Sequence, residues 1–169
     1  MNYKQMITQK AQELFELYPI YKEVYVTAES LTAGLIGASI VEIPGSSAYF
    51  DRGFITYSNE AKMECLGVCE DTLKSFGAVS EQTVIEMATG ALYKSSLGTM
   101  SVAVSGIAGP DGATKTKRVG TVWMAVKQKE KAPFAKCFIF DGNREEIREQ
   151  TVYHALCALI NLTKGQSPF

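Results

Sequence analysis

Val24-Tyr25-Val26-Thr27-Ala28-Glu29-Ser30-Leu31-Thr32-Ala33-Gly34-Leu35-Ile36-Gly37-Ala38-Ser39-Ile40-Val41 is the stretch on which the fold class turns. Residues 24–28 form a short β-prone run. Residues 33–41 read as a helix of small and apolar residues, able to lie close to its neighbours. A strand passing directly into a helix is the opening of an α/β unit. Glu29, Ser30 and Thr32 fall at the join, and in α/β sheets ligands bind outside the carboxyl ends of strands. The plain alternative is that Ser30 or Thr32 only caps the helix.

Working outward, residues from about Asn2 to Tyr18 have an apolar period near 3.6, and Pro19 is expected to end that helix. Downstream lies Gly45-Ser46-Ser47-Ala48-Tyr49-Phe50-Asp51-Arg52-Gly53-Phe54-Ile55-Thr56-Tyr57-Ser58-Asn59-Glu60-Ala61-Lys62. Pro44-Gly45 turns the chain. Tyr49 to Tyr57 reads as a strand interrupted at Arg52-Gly53, where the glycine marks a bulge or a close approach. Ser58-Asn59 caps a helix from about Glu60 to Leu66, stopped by Gly67. A short helix follows at 70–76, and Ser80 caps the next, whose apolar side is Val84, Ile85, Met87, Ala88, Ala91 and Leu92.

Strands are then expected at 100–104, 121–126 and 134–140, and a last helix at 144–162 with a frayed tail. The run at 121–126 is apolar throughout, as for a strand covered on both faces. Thr114 to Arg118 reads as a mobile basic loop. Early alternation followed by gathered strands predicts one three-layer α/β/α domain over 1–169, with a mixed sheet of about five strands.

The bulk numbers fit one soluble domain. There are 169 residues, 46% apolar and 21% charged, with a net charge of -1. So small a charge gives no global pull toward nucleic acid or an anionic membrane, and any bound anion must be held locally. No apolar run approaches the ~20 residues of a membrane span, and the polar N-terminus lacks a signal core. Four scattered cysteines suit reduced thiols in a cytoplasm.

Residues 45–62 hold two serines, a tyrosine and a lysine, a density of reactive groups that neither a strand nor a cap requires. A serine hydrolase needs a base. His154, the only histidine, sits among Thr151, Val152, Cys157 and Ala158 at helical spacing and reads as a packing residue. Lys62 is the other candidate. It lies near the positive end of its helix, with Arg52 earlier in the stretch, and both disfavour its ammonium form. A free lysine titrates near ~10.4 and must fall toward ~7–8 to act as a base. Position alone does not choose between Ser46 and Ser47. Gly106, Gly109 and Gly112 follow a strand and can turn backbone N–H groups toward an anion, without matching a dinucleotide or P-loop pattern. Arg144 opens the last helix, where a cation is disfavoured by about 0.3–1 kcal/mol, so a ligand phosphate or carboxylate is a candidate partner. Cysteine spacing does not match a zinc site.

These motifs resemble the CinA C-terminal domain family of nicotinamide-nucleotide amidases. The matching segments are Thr27-Ala28-Glu29-Ser30, Pro44-Gly45-Ser46-Ser47, Arg52 through Lys62, Gly77-Ala78-Val79-Ser80, Ser105-Gly106-Ile107-Ala108-Gly109-Pro110 and Val119-Gly120-Thr121-Val122-Trp123. The resemblance spans about residues 24–160 and is to the family's stand-alone form. It implies a metal-independent, cofactor-free deamidase that converts nicotinamide mononucleotide to nicotinate mononucleotide and ammonia in pyridine-nucleotide salvage. Ser47 matches the nucleophile, and Lys62, Tyr57, Ser30, Ser105 and Arg144 match the other functional polar positions. The expected mechanism has Lys62 deprotonating Ser47, with Tyr57 relaying or orienting. Ser46 and Ser47 amides face the oxyanion, and Thr32 sits at the pocket. Ser105, Gly106, Gly109 and Arg144 hold ribose and phosphate. The pattern departs from the family at Leu31, Ala33 and Asn143. The amphipathic terminal helices point to a homodimer or higher homo-oligomer. The rival reading is a non-catalytic nucleotide- or protein-binding domain of the same fold.

Overall fold

The computed structural model describes all residues, Met1–Phe169. Its sheet runs β2-β1-β3-β4-β5. The strands are β1 (Tyr25–Glu29), β2 (Phe50–Ile55), β3 (Met100–Gly106), β4 (Thr121–Gln128) and β5 (Phe134–Ile139). β1 is parallel to both β2 and β3, while β3, β4 and β5 form an antiparallel run. Helices α1 (Tyr3–Tyr21), α2 (Leu35–Val41) and α6 (Arg144–Thr163) cover one face. Helices α3 (Asn59–Leu66), α4 (Glu70–Phe76) and α5 (Glu81–Lys94) cover the other. The expected three-layer α/β/α architecture is present.

The unbroken apolar character of the central strands follows from this double cover. Met100, Val102 and Val104 of β3, with Val122, Met124 and Val126 of β4, enter the core under α1, α2 and α6. The alternate residues Ala103 and Ala125 face α5, where small side chains let the helix approach closely. Ser101, also on that face, donates its hydroxyl to the Ala88 carbonyl at 2.8 Å.

From β1 the chain reaches β2 through α2 on one face. From β2 it reaches β3, on the other side of β1, through α3 to α5 on the opposite face. The carboxyl end of β1 is therefore where the strand order reverses, and such a point opens a ligand-binding crevice.

Several boundaries differ from the expected ones. Pro19 lies inside α1, which continues to Tyr21 and ends at Lys22 in the left-handed region (φ 58). A proline's fixed φ is itself helical, and in an exposed last turn it removes a single bond, so it does not end the helix there. α2 starts at Leu35, because Ala33 (φ 48) and Gly34 (φ 95) are left-handed. In β2 the register slips at Asp51, while Gly53 pairs regularly with Thr27. Gly53 is instead a close approach, since a Cβ there would lie 2.6 Å from Thr27 Oγ1. The tail is not frayed: Pro168 is buried, its carbonyl accepts from Asn161 Nδ2 at 3.3 Å, and Phe169 meets Phe138 edge-on. The basic loop is tied down, with Lys117 Nζ donating to the Phe76 carbonyl at 2.9 Å. The caps at Ser58 and Ser80 occur as expected, each hydroxyl accepting an N–H of the first helical turn.

Candidate active site

The site begins with a residue that sequence reading quoted but gave no role. Glu29 ends β1 and is 1% exposed. Its carboxylate accepts the N–H groups of Gly34 (3.2 Å), Ile36 (2.9 Å) and Gly37 (3.1 Å), and the Thr32 hydroxyl at 2.6 Å. A negative charge at a helix start satisfies orphan donors and suits the helix dipole. Neither Ser30 nor Thr32 caps α2; Glu29 does that work from the strand. The loop 30–34 is thereby bent over the end of β1. Arg148 of α6 holds its other side, donating from Nε to Leu31 O at 2.8 Å and from Nη2 to Thr32 O at 3.3 Å. An acidic residue directly between a strand and a helix was the available signal for Glu29. Arg148 was signalled only by standing one turn beyond Arg144.

Ser30 is thus fixed at the switch point, its N–H donating to Val104 O across to β3. From the other side, Thr56 N–H donates to Glu29 O, continuing the β1–β2 ladder by one step. α3 then turns back and brings Lys62 into the gap. Lys62 is 1% exposed. Its Nζ donates to Thr56 O (2.8 Å), Ser30 Oγ (3.1 Å) and Tyr57 O (3.2 Å). None of these partners is charged, so nothing offsets the loss of hydration, and burial brings the Lys62 pKa down to about 8. A lysine with that pKa holds a substantial neutral fraction near neutral pH and can take a proton from the hydroxyl it touches. The buried Thr56 hydroxyl next to this cluster has no partner of its own.

The remaining expected residues divide in two. Arg144 reaches over the crevice, donating from Nη1 to Gly109 O at 2.7 Å and from Nη2 to the Tyr57 hydroxyl at 3.2 Å. Tyr57 therefore gives its carbonyl to Lys62 and its phenol to Arg144, which places the ring outward, 62% exposed, rather than against the lysine as a relay. Ser105 and Gly106 end β3 beside Ser30, and the loop through Gly109 rises from there. Lysine, arginine, hydroxyls and free backbone groups gather here, and the one carboxylate has all its hydrogen bonds turned inward. That donor set suits an anionic ligand.

Ser46 and Ser47 lie elsewhere. They form a single 3₁₀ turn before β2, with Ser46 buried and Ser47 exposed. Tyr49, next in line, sits beside the first residue of β1, whose N–H donates to its carbonyl. Ser47 and Lys62 are therefore at opposite ends of β2, separated by about 16 Å of strand at roughly 3.3 Å per residue. The proton transfer expected between them cannot occur within one chain. Strand polarity is the reason: a residue before a strand and one after it cannot share an end.

The CinA C-terminal domain family matches residues 7–163. The chain belongs to that family. The nicotinamide-nucleotide amidohydrolase PncC of Enterobacter agglomerans is 52% identical over 129 residues, covering 76% of this chain and 78% of that protein. The protein of the same name from Pseudomonas putida is 44% identical over 156 residues, 92% of this chain and 96% of it. The crystal structure of the competence/damage inducible protein CihA from Agrobacterium tumefaciens superposes with a TM-score of 0.88 at 45% identity, over 93% of this chain and 95% of that one. Ala33, one of the expected departures from the family pattern, has a φ of 48°, a backbone region that glycine suits better than alanine. Asn143 keeps the cap, forming a capping box with Glu146.

A cleft of about 420 Å³ between α1, α2 and α6 is separate from the Ser30–Lys62 pair. Its hydroxyls, Thr8 and Ser39, donate to carbonyls of their own helices, so it offers no activated nucleophile. His154 stacks on Phe140 at 5.2 Å and meets Phe138 at a tilt at 5.0 Å, half-buried, with burial holding its pKa below the ordinary value. It is the packing residue that its neighbours suggested. No helix is long and apolar enough to cross a membrane.

Proposed function

We propose that this chain hydrolyses the carboxamide of nicotinamide mononucleotide to nicotinate mononucleotide and ammonia, with Ser30 as nucleophile and Lys62 as base. The observation that carries the chemistry is the buried Lys62 Nζ, 3.1 Å from Ser30 Oγ, with its pKa brought down to about 8. The substrate class comes from the amidohydrolases at 44–52% identity. The nucleophile moves from Ser47 to Ser30 because Ser30 is the serine in contact with the lysine.

Neutral Lys62 accepts the Ser30 proton as Oγ attacks the carboxamide carbon, giving a tetrahedral oxyanion. The lysine ammonium returns that proton to the amide nitrogen, the C–N bond breaks, and ammonia leaves an acyl-serine. Water, deprotonated by the same lysine, then attacks the ester carbon and frees the carboxylate and Ser30. Backbone N–H groups of the glycine loop at 106–109 and the Arg144 guanidinium hold the phosphate, with Ser105 on the ribose side. Tyr57 orients Arg144 through its phenol. The product belongs to pyridine-nucleotide salvage, as the family resemblance implies, in a cytoplasmic setting.

Ammonia release from nicotinamide mononucleotide, followed by a coupled assay, tests the reading. Lys62→Ala should lower kcat/KM by about 10²–10⁴, the range for losing a general base, and Ser30→Ala, which removes the nucleophile itself, by at least as much. Release of no ammonia by the wild type would leave the non-catalytic binding reading. Unchanged activity in Ser30→Ala would remove the assigned nucleophile.

A further inference from the structure

We infer that the backbone N–H of Leu31, with that of Thr32 beside it, receives the oxyanion formed on the substrate carbonyl, and that Arg148 is the residue positioning these donors. The assignment deepens the reaction proposed above and rests on Ser30 as its nucleophile.

A count of the amides after β1 leads to it. Ser30 N–H donates to Val104 O, Ala33 N–H to Ser30 O, Leu35 N–H to Thr32 O and Ala38 N–H to Gly34 O. The N–H groups of Gly34, Ile36 and Gly37 go to the Glu29 carboxylate. From Ser30 to Ala38, only the Leu31 and Thr32 N–H groups have no partner. Neither is out in solvent, since Leu31 is 3% exposed and Thr32 0%. Enclosed amides are nearly always paired, because an orphan bears the full cost of losing water. Here two orphans stand in a row, directly after the hydroxyl that touches the buried Lys62. A ligand oxygen arriving there removes their cost.

The loop is held so that these donors stay open. Ser30 O accepts the Ala33 N–H at 3.1 Å. In a planar trans peptide the C=O and N–H point opposite ways, so the Leu31 N–H is turned away from that bond. The next peptide is gripped by its carbonyl: Arg148 Nε donates to Leu31 O at 2.8 Å, which turns the Thr32 N–H away from the guanidinium. Arg148 Nη2 adds a bond to Thr32 O at 3.3 Å. Successive N–H groups left open by a turn make an anion-binding concavity. Arg148 is not spent on a carboxylate, since Glu145 and Glu149 pair with Lys4. Its charge therefore faces the carbonyls and polarises the peptide toward a stronger N–H donor. The nearby Glu29 carboxylate is engaged by three α2-side amides and the Thr32 hydroxyl. The Ser46 amide, expected for this task, donates instead to Ile43 O at 3.3 Å.

The residue after a nucleophile shares its backbone, so its N–H lies beside any carbonyl the Oγ attacks. As the Ser30 Oγ–carbon bond forms, the carbonyl π pair moves onto oxygen and the Leu31 N–H binds it. When that pair returns, the C–N bond breaks and ammonia leaves with the proton supplied by Lys62.

Replacing residue 31 with the α-hydroxy acid counterpart of leucine turns one amide into an ester and deletes only that N–H. This chain should lose about 10²–10³ in kcat/KM, the cost of one oxyanion donor, while its thermal midpoint stays close to wild type, because the lost N–H bonds nothing in the free protein. The same exchange at residue 33 should lower the midpoint. Arg148→Lys and Arg148→Ala should lower kcat by up to about 10²-fold with KM near the wild-type value, as expected for a group that only positions. Full activity in the residue-31 ester would overturn the donor, and a rise in KM without loss of kcat in both Arg148 variants would overturn the positioning role. A readout without turnover separates this from the reaction itself. The substrate analogue carrying an aldehyde in place of the carboxamide adds to a serine hydroxyl, and the Leu31 amide proton should then move downfield in the magnetic resonance spectrum. An unmoved Leu31 amide would overturn the donor whether or not the wild type releases ammonia. A moved amide without ammonia release supports the donor and counts only against the proposed reaction.

Discussion

Lys62 is buried among neutral oxygens, and this sets both its chemistry and its cost. Its pKa is about 8 in the folded chain against an ordinary 10.5. Between those values the unfolded chain holds a proton that the folded chain has released, so stability rises with pH across that window. Below about 8 the full penalty stands, on the order of 3 kcal/mol. Comparing wild type with Lys62→Met by urea unfolding at pH 7 and pH 10 should show the wild type gaining on the variant by about that amount. The same titration governs turnover: kcat/KM should climb through about pH 8 and level off above it, as expected for a base that works in its neutral form. A flat profile from pH 6 to 9 would remove Lys62 as that base.

At the scale of elements, two features shape the crevice. The first is the start of α2, anchored by Glu29 in place of a local cap. The second is the crossing of β1 and β2 at Thr27 and Gly53. A Cβ at Gly53 would stand 2.6 Å from Thr27 Oγ1, and that hydroxyl is buried without a partner. Gly53→Ala should therefore destabilise by about 1–3 kcal/mol, the usual cost of overpacking. Thr27→Ala removes the obstructing atom without breaking a hydrogen bond, so the double variant should recover most of the loss. Thermal unfolding of the two single variants and the double variant measures the coupling. Additive losses would mean that the close approach is not what excludes a side chain there.

Across the whole molecule the sheet separates two cores of different texture. Under α1, α2 and α6 the filling is large, with Met100, Met124, Leu156 and Leu159 fully buried. Under α5 it is fine-grained, with Ala28, Ala88, Ala91, Ala103 and Ala125. The two faces should respond to opposite changes. Leu159→Ala should cost about 2–5 kcal/mol through the cavity it leaves. Ala103→Leu should cost about 1–3 kcal/mol by forcing α5 off the sheet. Urea denaturation of both variants checks the contrast, and a well-tolerated Ala103→Leu would mean that α5 packs loosely.

The fold class, most elements and their caps were legible in the sequence because they rest on local physics. Apolar periodicity, Gly67 as a stop, and Ser58 and Ser80 as caps act within a few residues of themselves. The chemical types at the site were legible for the same reason: a lysine near a helix start, and hydroxyls at the carboxyl ends of strands. What sequence could not decide is who meets whom. Ser30 and Lys62 are 32 residues apart and touch because β1 and β2 are parallel neighbours. Ser47 is closer to Lys62 along the chain, yet a whole strand separates them in space. Sequence spacing measures contour length, whereas a parallel sheet sorts residues by which end of a strand they occupy. Glu29 was hidden in the same way, because the donors it satisfies come together only once the loop after β1 closes over it.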